Sequence, residues 1–101
     1  TEDLVDRYYE LALRTGNRRA LPQRMAQAPA GPGAERIAKL AMPVLILWGG
    51  RDRLIPLADA RRFHEAIRGS RLVVFDDLGH VPHEEDPART VAAVRRFLAA
   101  D

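Results

Sequence analysis

Residues 43–87 read PVLILWGGRDRLIPLADARRFHEAIRGSRLVVFDDLGHVPHEEDP, and they set the fold. Val44-Leu45-Ile46-Leu47-Trp48 and Leu72-Val73-Val74-Phe75 are uninterrupted apolar runs. Such runs suit strands covered on both faces, as in parallel sheets. Between them, residues 57–68 set Ala60, Phe63 and Ile67 at helical spacing, with Arg61, Arg62, Glu65 and Arg68 around the rest of the helix. Strand, helix and strand over roughly thirty residues predict a βαβ unit with a right-handed crossover. Each strand then runs into a turn with glycine: Gly49-Gly50 ahead of Asp52, and Gly79 ahead of His80.

Parallel strands point the same way, so both turns lie past carboxyl ends. Neighbouring strands are about 4.8 Å apart, which lets an Asp and a His on adjoining loops touch. Open α/β sheets also bind ligands at that edge. An imidazole is suited to such a place, because its ordinary pKa of about 6.5 lets it take and return a proton near neutrality. Gly49-Gly50 is expected to give the backbone freedom for the turn. Pro56 is placed to begin the helix, and Asp59 in its first turn suits the helix dipole. Arg51 and Arg53 flank Asp52 as exposed cations, either of them available to orient a substrate carboxylate. Asp76 and Asp77 are rival acids, closer to His80 in sequence but on its own loop. His64 reads as a helix-surface residue, and His83 as packing or as the mouth of a pocket.

Taken together, PVLILWGGRDRLIP and GHVPHEEDP resemble the last part of an α/β-hydrolase core. The resemblance implies that Asp52 is the catalytic acid and His80 the catalytic base. Gly79, Pro82, Glu85 and Pro87 match the frame of the family's His loop. Glu85 is expected to anchor that loop by hydrogen bonding. The match covers roughly the last 60 residues; residues 1–42 are similar, more loosely, to the helical cap such enzymes insert. The expected fold is therefore a partial α/β-hydrolase, a βαβα unit with two parallel strands preceded by cap-like helices. Its domains are 1–42, cap-like segment and linker, and 43–101, the end of the core.

That family's nucleophile stands in a G-x-S-x-G elbow, and these 101 residues contain none. The only serine, Ser70, lies between helix and strand, at the wrong end of the sheet. The implied function is the acid and His of a nucleophile–His–acid triad acting on a small-molecule ester or related acyl substrate, inactive alone. The alternative is a non-catalytic, hydrolase-derived interaction module pairing through an open sheet edge. No substrate-binding residue is assigned, and neither a cofactor nor a metal is called for. A chain that starts at Thr1 without Met is expected to be a processed or truncated product.

The remaining sequence sets the outer terms. Hydrophobic residues make up 47% and charged residues 30%, the balance of a folded, soluble domain rather than a disordered one. Net charge is +2 despite fifteen arginines, so no polyanionic partner such as nucleic acid is called for. Cysteine is absent, leaving no disulfide framework. No apolar run approaches the ~20 residues of a membrane span, and the cytoplasm is the default compartment. A two-stranded sheet leaves an edge open to pairing, so self-association or a complementary chain is expected.

Residues 1–15 read as a helix capped by Thr1 and ended by Gly16, with Leu4, Tyr8, Leu11 and Ala12 as its stripe. Tyr8 and Tyr9 resemble the cap tyrosines of epoxide-opening relatives. Neighbours on a helix diverge by about 100°, so core and rim packing is the reading taken. Residues 17–27 form a second helix, which Pro22 is expected to interrupt. Arg14, Arg18, Arg19 and Arg24 read as a solvated face. Ala28–Gly33 is a linker, and 35–40 a helical lead-in with Ile37 and Leu40 facing the core. Asp86 and Pro87 open the last helix, packed on the sheet by Val91, Val94 and Leu98 beside Phe97.

Overall fold

The computed structural model describes residues 1–27 and 34–100. The chain divides into two units, Thr1–Pro32 and Gly33–Asp101. That division falls ahead of the 42/43 boundary read from the sequence, and the linker at Ala28–Gly33 lies outside the described residues.

The first unit holds α1 (Glu2–Leu13) and α2 (Asn17–Ala26). Thr1 caps α1 through its carbonyl, which accepts from the N–H groups of Leu4 and Val5, without a side-chain bond. Gly16 turns the chain at φ 91°, in the left-handed region where glycine is at ease. The side-chain amide of Asn17 then reaches back to the Leu11 carbonyl at 2.7 Å. The expected break at Pro22 does not occur: α2 runs through it. Pro22 has no N–H to offer Arg18, and exposure leaves that carbonyl to water. Neither helix buries a residue. Tyr8 and Tyr9, expected to pack, are 51% and 64% exposed, because two helices alone cover only one stripe of each.

The second unit opens with α3 (Ala34–Ile37) and continues with β1 (Leu45–Gly49), α4 (Leu57–Ala66), β2 (Arg71–Phe75), α5 (Pro82–Glu85) and α6 (Pro87–Leu98). The strands pair in parallel, Leu45 opposite Arg71 through Gly49 opposite Phe75. Side chains alternate across a sheet, and here the two faces meet different helices. Trp48 faces α4, its ring 6.3 Å from that of Phe63. Leu47 and Val73 pack on the other side against Phe75, Leu78 and Ala93 of α6. The layers are helix, sheet and helix. Among the described residues the sheet has two strands, and most of their side chains stay half-buried.

Three packing expectations are corrected. α6 buries Thr90 and Ala93 and half-buries Phe97, leaving Val91, Val94 and Leu98 exposed. Small residues let the helix approach the sheet, and the Thr90 hydroxyl is satisfied by the carbonyls of Asp86 and Pro87. Leu40 is exposed, since α3 ends before reaching it, although Ile37 is half-buried. Phe63 is 38% exposed beside fully buried Ala60, because it covers the rim of Trp48 rather than entering the core.

The glycines at the end of β1 are needed for closeness rather than for turning. Neither has a positive φ. A Cβ on Gly49 would strike the carbonyl oxygens of Gly79 and Leu78, and one on Gly50 would fall 2.8 Å from the Asp76 Cα. The acid turn and the His loop thus meet backbone to backbone. Gly49→Ala is expected to destabilise the chain by about 1–3 kcal/mol through overpacking, read as a lower urea midpoint. An unchanged midpoint would mean that the two turns are not in contact.

Candidate active site

The turn after β1 is stitched to the end of β2 by its own backbone. Gly50 donates to the Phe75 carbonyl at 2.8 Å and Arg51 to that of Leu78 at 2.9 Å. Asp52 is held inside this turn with its side chain 4% exposed. Its Oδ1 accepts from the N–H groups of Leu54 at 2.8 Å and Ile55 at 2.9 Å. Its Oδ2 is left for the imidazole, and His80 Nδ1 lies 2.8 Å away. Burial pushes the Asp52 carboxyl up, but the bonds from Ile55, His80 and Leu54, with the charge of His80, outweigh it and hold the group below its ordinary value. An ionised carboxylate only accepts, so Nδ1 carries the proton and Nε2 is left as the basic nitrogen.

The His loop is fixed on either side of the ring. Glu85 takes the Gly79 N–H at 2.7 Å and the Val81 N–H at 3.3 Å, which is the anchoring expected of it. The ring is 42% exposed and borders a cleft of about 320 Å³. Leu47, Trp48, Ile55 and Pro82 give that cleft apolar walls, with His83 also lining it. A larger hollow of about 410 Å³ lies against α4, and it contains neither Asp52 nor His80.

The other candidates fall elsewhere. Asp77 is taken by Arg89, and Asp76 is exposed. Asp59 pairs with Arg62 in the first turn of α4. Arg51 and Arg53 are exposed. Ser70 lies ahead of β2, at the opposite end of the strands from His80, bonded to His64 Nδ1 at 2.8 Å. Sequence reasoning missed the two N–H groups that pin Asp52; their signal is an Asp two and three residues before them, in the manner of a helix cap. It also missed Arg89, whose partner is twelve residues away. Among the described residues no His, Asp and Glu cluster is placed to hold a metal ion, and no helix is long and apolar enough to cross a membrane.

Residues 2–94 match the model of the alpha/beta hydrolase family. The chain belongs to this family. Among curated proteins, an uncharacterized protein of Mycobacterium bovis is 43% identical over 58 residues, 57% of this chain and 17% of that protein. A pimeloyl-(acyl-carrier protein) methyl ester esterase of Neisseria meningitidis is 27% identical over 97 residues, 96% of this chain and 38% of the esterase. The crystal structure of a serine hydrolase involved in carbazole degradation superposes on all of this chain with a TM-score of 0.84, at 24% identity and over 41% of its own length. This hydrolase-family chain thus spans less than half the length of each of these proteins.

Two carboxyls in this hydrolase-family fold lie below their ordinary values, and of the two side chains only that of Asp52 is buried. Asp77 is lowered by the hydrogen bonds of Arg89 and of its own N–H, which outweigh burial, with the charges of Arg89 and Arg51 adding to them. Both groups take up a proton more readily unfolded than folded. Their stabilisation is complete above the ordinary value of 3.8 and is lost as pH falls through the lower folded values. Urea midpoints measured from about pH 5 down to about pH 2 should fall steeply. Asp52→Asn should flatten the decline, whereas Asp77→Asn, at an ion pair 46% and 54% exposed, should alter it little; a slope identical to the parent's in Asp52→Asn would contradict its pairing with His80.

Proposed function

We propose that Asp52 and His80 are the acid and base of a nucleophile–His–acid triad that hydrolyses ester or related acyl bonds. The nucleophile comes from a G-x-S-x-G segment outside these residues. The observation that carries the reading is the 2.8 Å hydrogen bond from His80 Nδ1 to Asp52, between side chains 28 residues apart. Family membership and the esterase among the relatives support it.

In the proposed reaction, the serine hydroxyl attacks the acyl carbon as His80 Nε2 takes its proton. Asp52 fixes the ring and stabilises the imidazolium that forms. His80 then returns the proton to the leaving alkoxide, and a water activated in the same way releases the acid. The apolar cleft walls favour a hydrocarbon acyl or alkoxy group.

A second reading rests on the sheet. β1 pairs only with β2 among the described residues, so its other edge presents unpaired N–H and C=O groups. In that reading the chain is a non-catalytic module, joining a second copy or a complementary chain through β1.

Mixing this chain with a polypeptide bearing the elbow and following a p-nitrophenyl ester separates the two. The triad reading expects turnover only in the mixture, and Asp52→Asn in the assembled enzyme should lower it by about 10⁴. An assembled enzyme unaffected by Asp52→Asn would reject the triad; association without turnover would favour the module. Light scattering of the chain alone should show species larger than a monomer at high concentration, and a strict monomer would contradict edge pairing.

A further inference from the structure

We infer that Arg89 is a positioning residue for His80: its guanidinium closes residues 77–89 into a clasped loop that presents the imidazole to Asp52. This rests on the reading of His80 as the base. The ring is 42% exposed, and the acid turn grips the loop that carries it at Leu78 and Gly79, ahead of the ring. Glu85 bonds on both sides of the ring, but Glu85 itself rides on α5, a single turn of four residues. So short a helix does not hold itself in place. The stretch after the ring needs an anchor of its own.

Arg89 supplies one at three points. Its Nη1 and Nη2 donate in parallel to the two oxygens of Asp77, at 2.8 and 2.9 Å, where the loop begins. Its Nη1 also lies 3.7 Å from Asp86 Oδ2, where the loop ends, while the Asp86 side chain caps α6 by accepting from the Arg89 backbone N–H at 3.0 Å. The guanidinium also lies over the Phe75 ring, 5.3 Å from its centroid, and Phe75 is a buried residue closing β2. One side chain therefore touches both ends of the His loop and the core beneath them.

Exposure separates positioning from bulk stability. Arg89 and Asp77 are 46% and 54% exposed, and ion pairs this open add little to global stability. What a two-pronged bond adds is geometry. Lysine would keep the charge and lose the fork, so charge and geometry are experimentally separable.

The test uses this chain labelled with ¹⁵N. Amide hydrogen exchange at Gly79 and Val81 and the ring tautomer of His80 are measured for the parent, Arg89→Lys, Arg89→Ala and Asp77→Asn. All three variants should speed exchange at those amides by about three- to tenfold. They should also shift the ring from the Nδ1–H form toward a mixture, while the amides of β1 and β2 keep their protection. Arg89→Lys behaving like the parent would overturn the role of the fork. Unchanged loop exchange and tautomer, or a uniform loss across all amides, would overturn positioning altogether. The triad reading fails separately: a clasp that behaves as described while Asp52→Asn leaves the assembled enzyme's ester turnover intact rejects the triad and keeps the clasp.

Discussion

A carboxylate and an imidazole 28 residues apart share a hydrogen bond because two parallel strands end at the same edge. Parallel pairing needs a crossover, and α4 supplies it. The crossover brings both carboxyl ends to one rim, and the pairing of Gly49 with Phe75 levels them. The remaining condition is closeness, met by two glycines that let the acid turn lie on the backbone of the His loop. Asp52 is then fully committed: one oxygen to two backbone N–H groups, the other to the ring.

The same economy explains the exposed remainder. Two strands and their helices give a small core of Phe75, Leu78 and Ala93 with Leu47 and Val73 around it. Hydrogen bonds supplement this packing around the strand ends and the His loop. Val91, Val94 and Leu98 on α6, and Val5, Tyr9 and Leu13 on α1, remain exposed. The chain matches 17% and 38% of the length of two of its relatives.

Much of this was legible in the residues. The two apolar runs announced the strands, and the helical spacing of Ala60 and Ile67 announced the crossover. Asp52 and His80 followed from what comes after each strand. Packing faces were less legible. On α6 the apolar stripe of Val91, Val94 and Leu98 pointed away from the observed contact, because Thr90 can satisfy its hydroxyl within the helix and so enter the core. Pro22 looked like a break, yet one missing N–H on an exposed helix is tolerated. Gly49 and Gly50 suggest conformational freedom, but what requires them is the absence of room for a Cβ. Arg89 carried no signal for Asp77, which becomes its neighbour only once the His loop has folded back.

The interaction at the centre of the fold is the hydrogen bond that His80 Nδ1 donates to Asp52 at the strand ends. It is tested most directly by a proton spectrum of the chain with ¹⁵N-labelled histidine. The account predicts a downfield, exchange-protected proton on Nδ1 of His80 that vanishes in Asp52→Asn, while the signals of His64 and His83 are unaltered. Absence of that proton from the parent chain, or its persistence in Asp52→Asn, would contradict it.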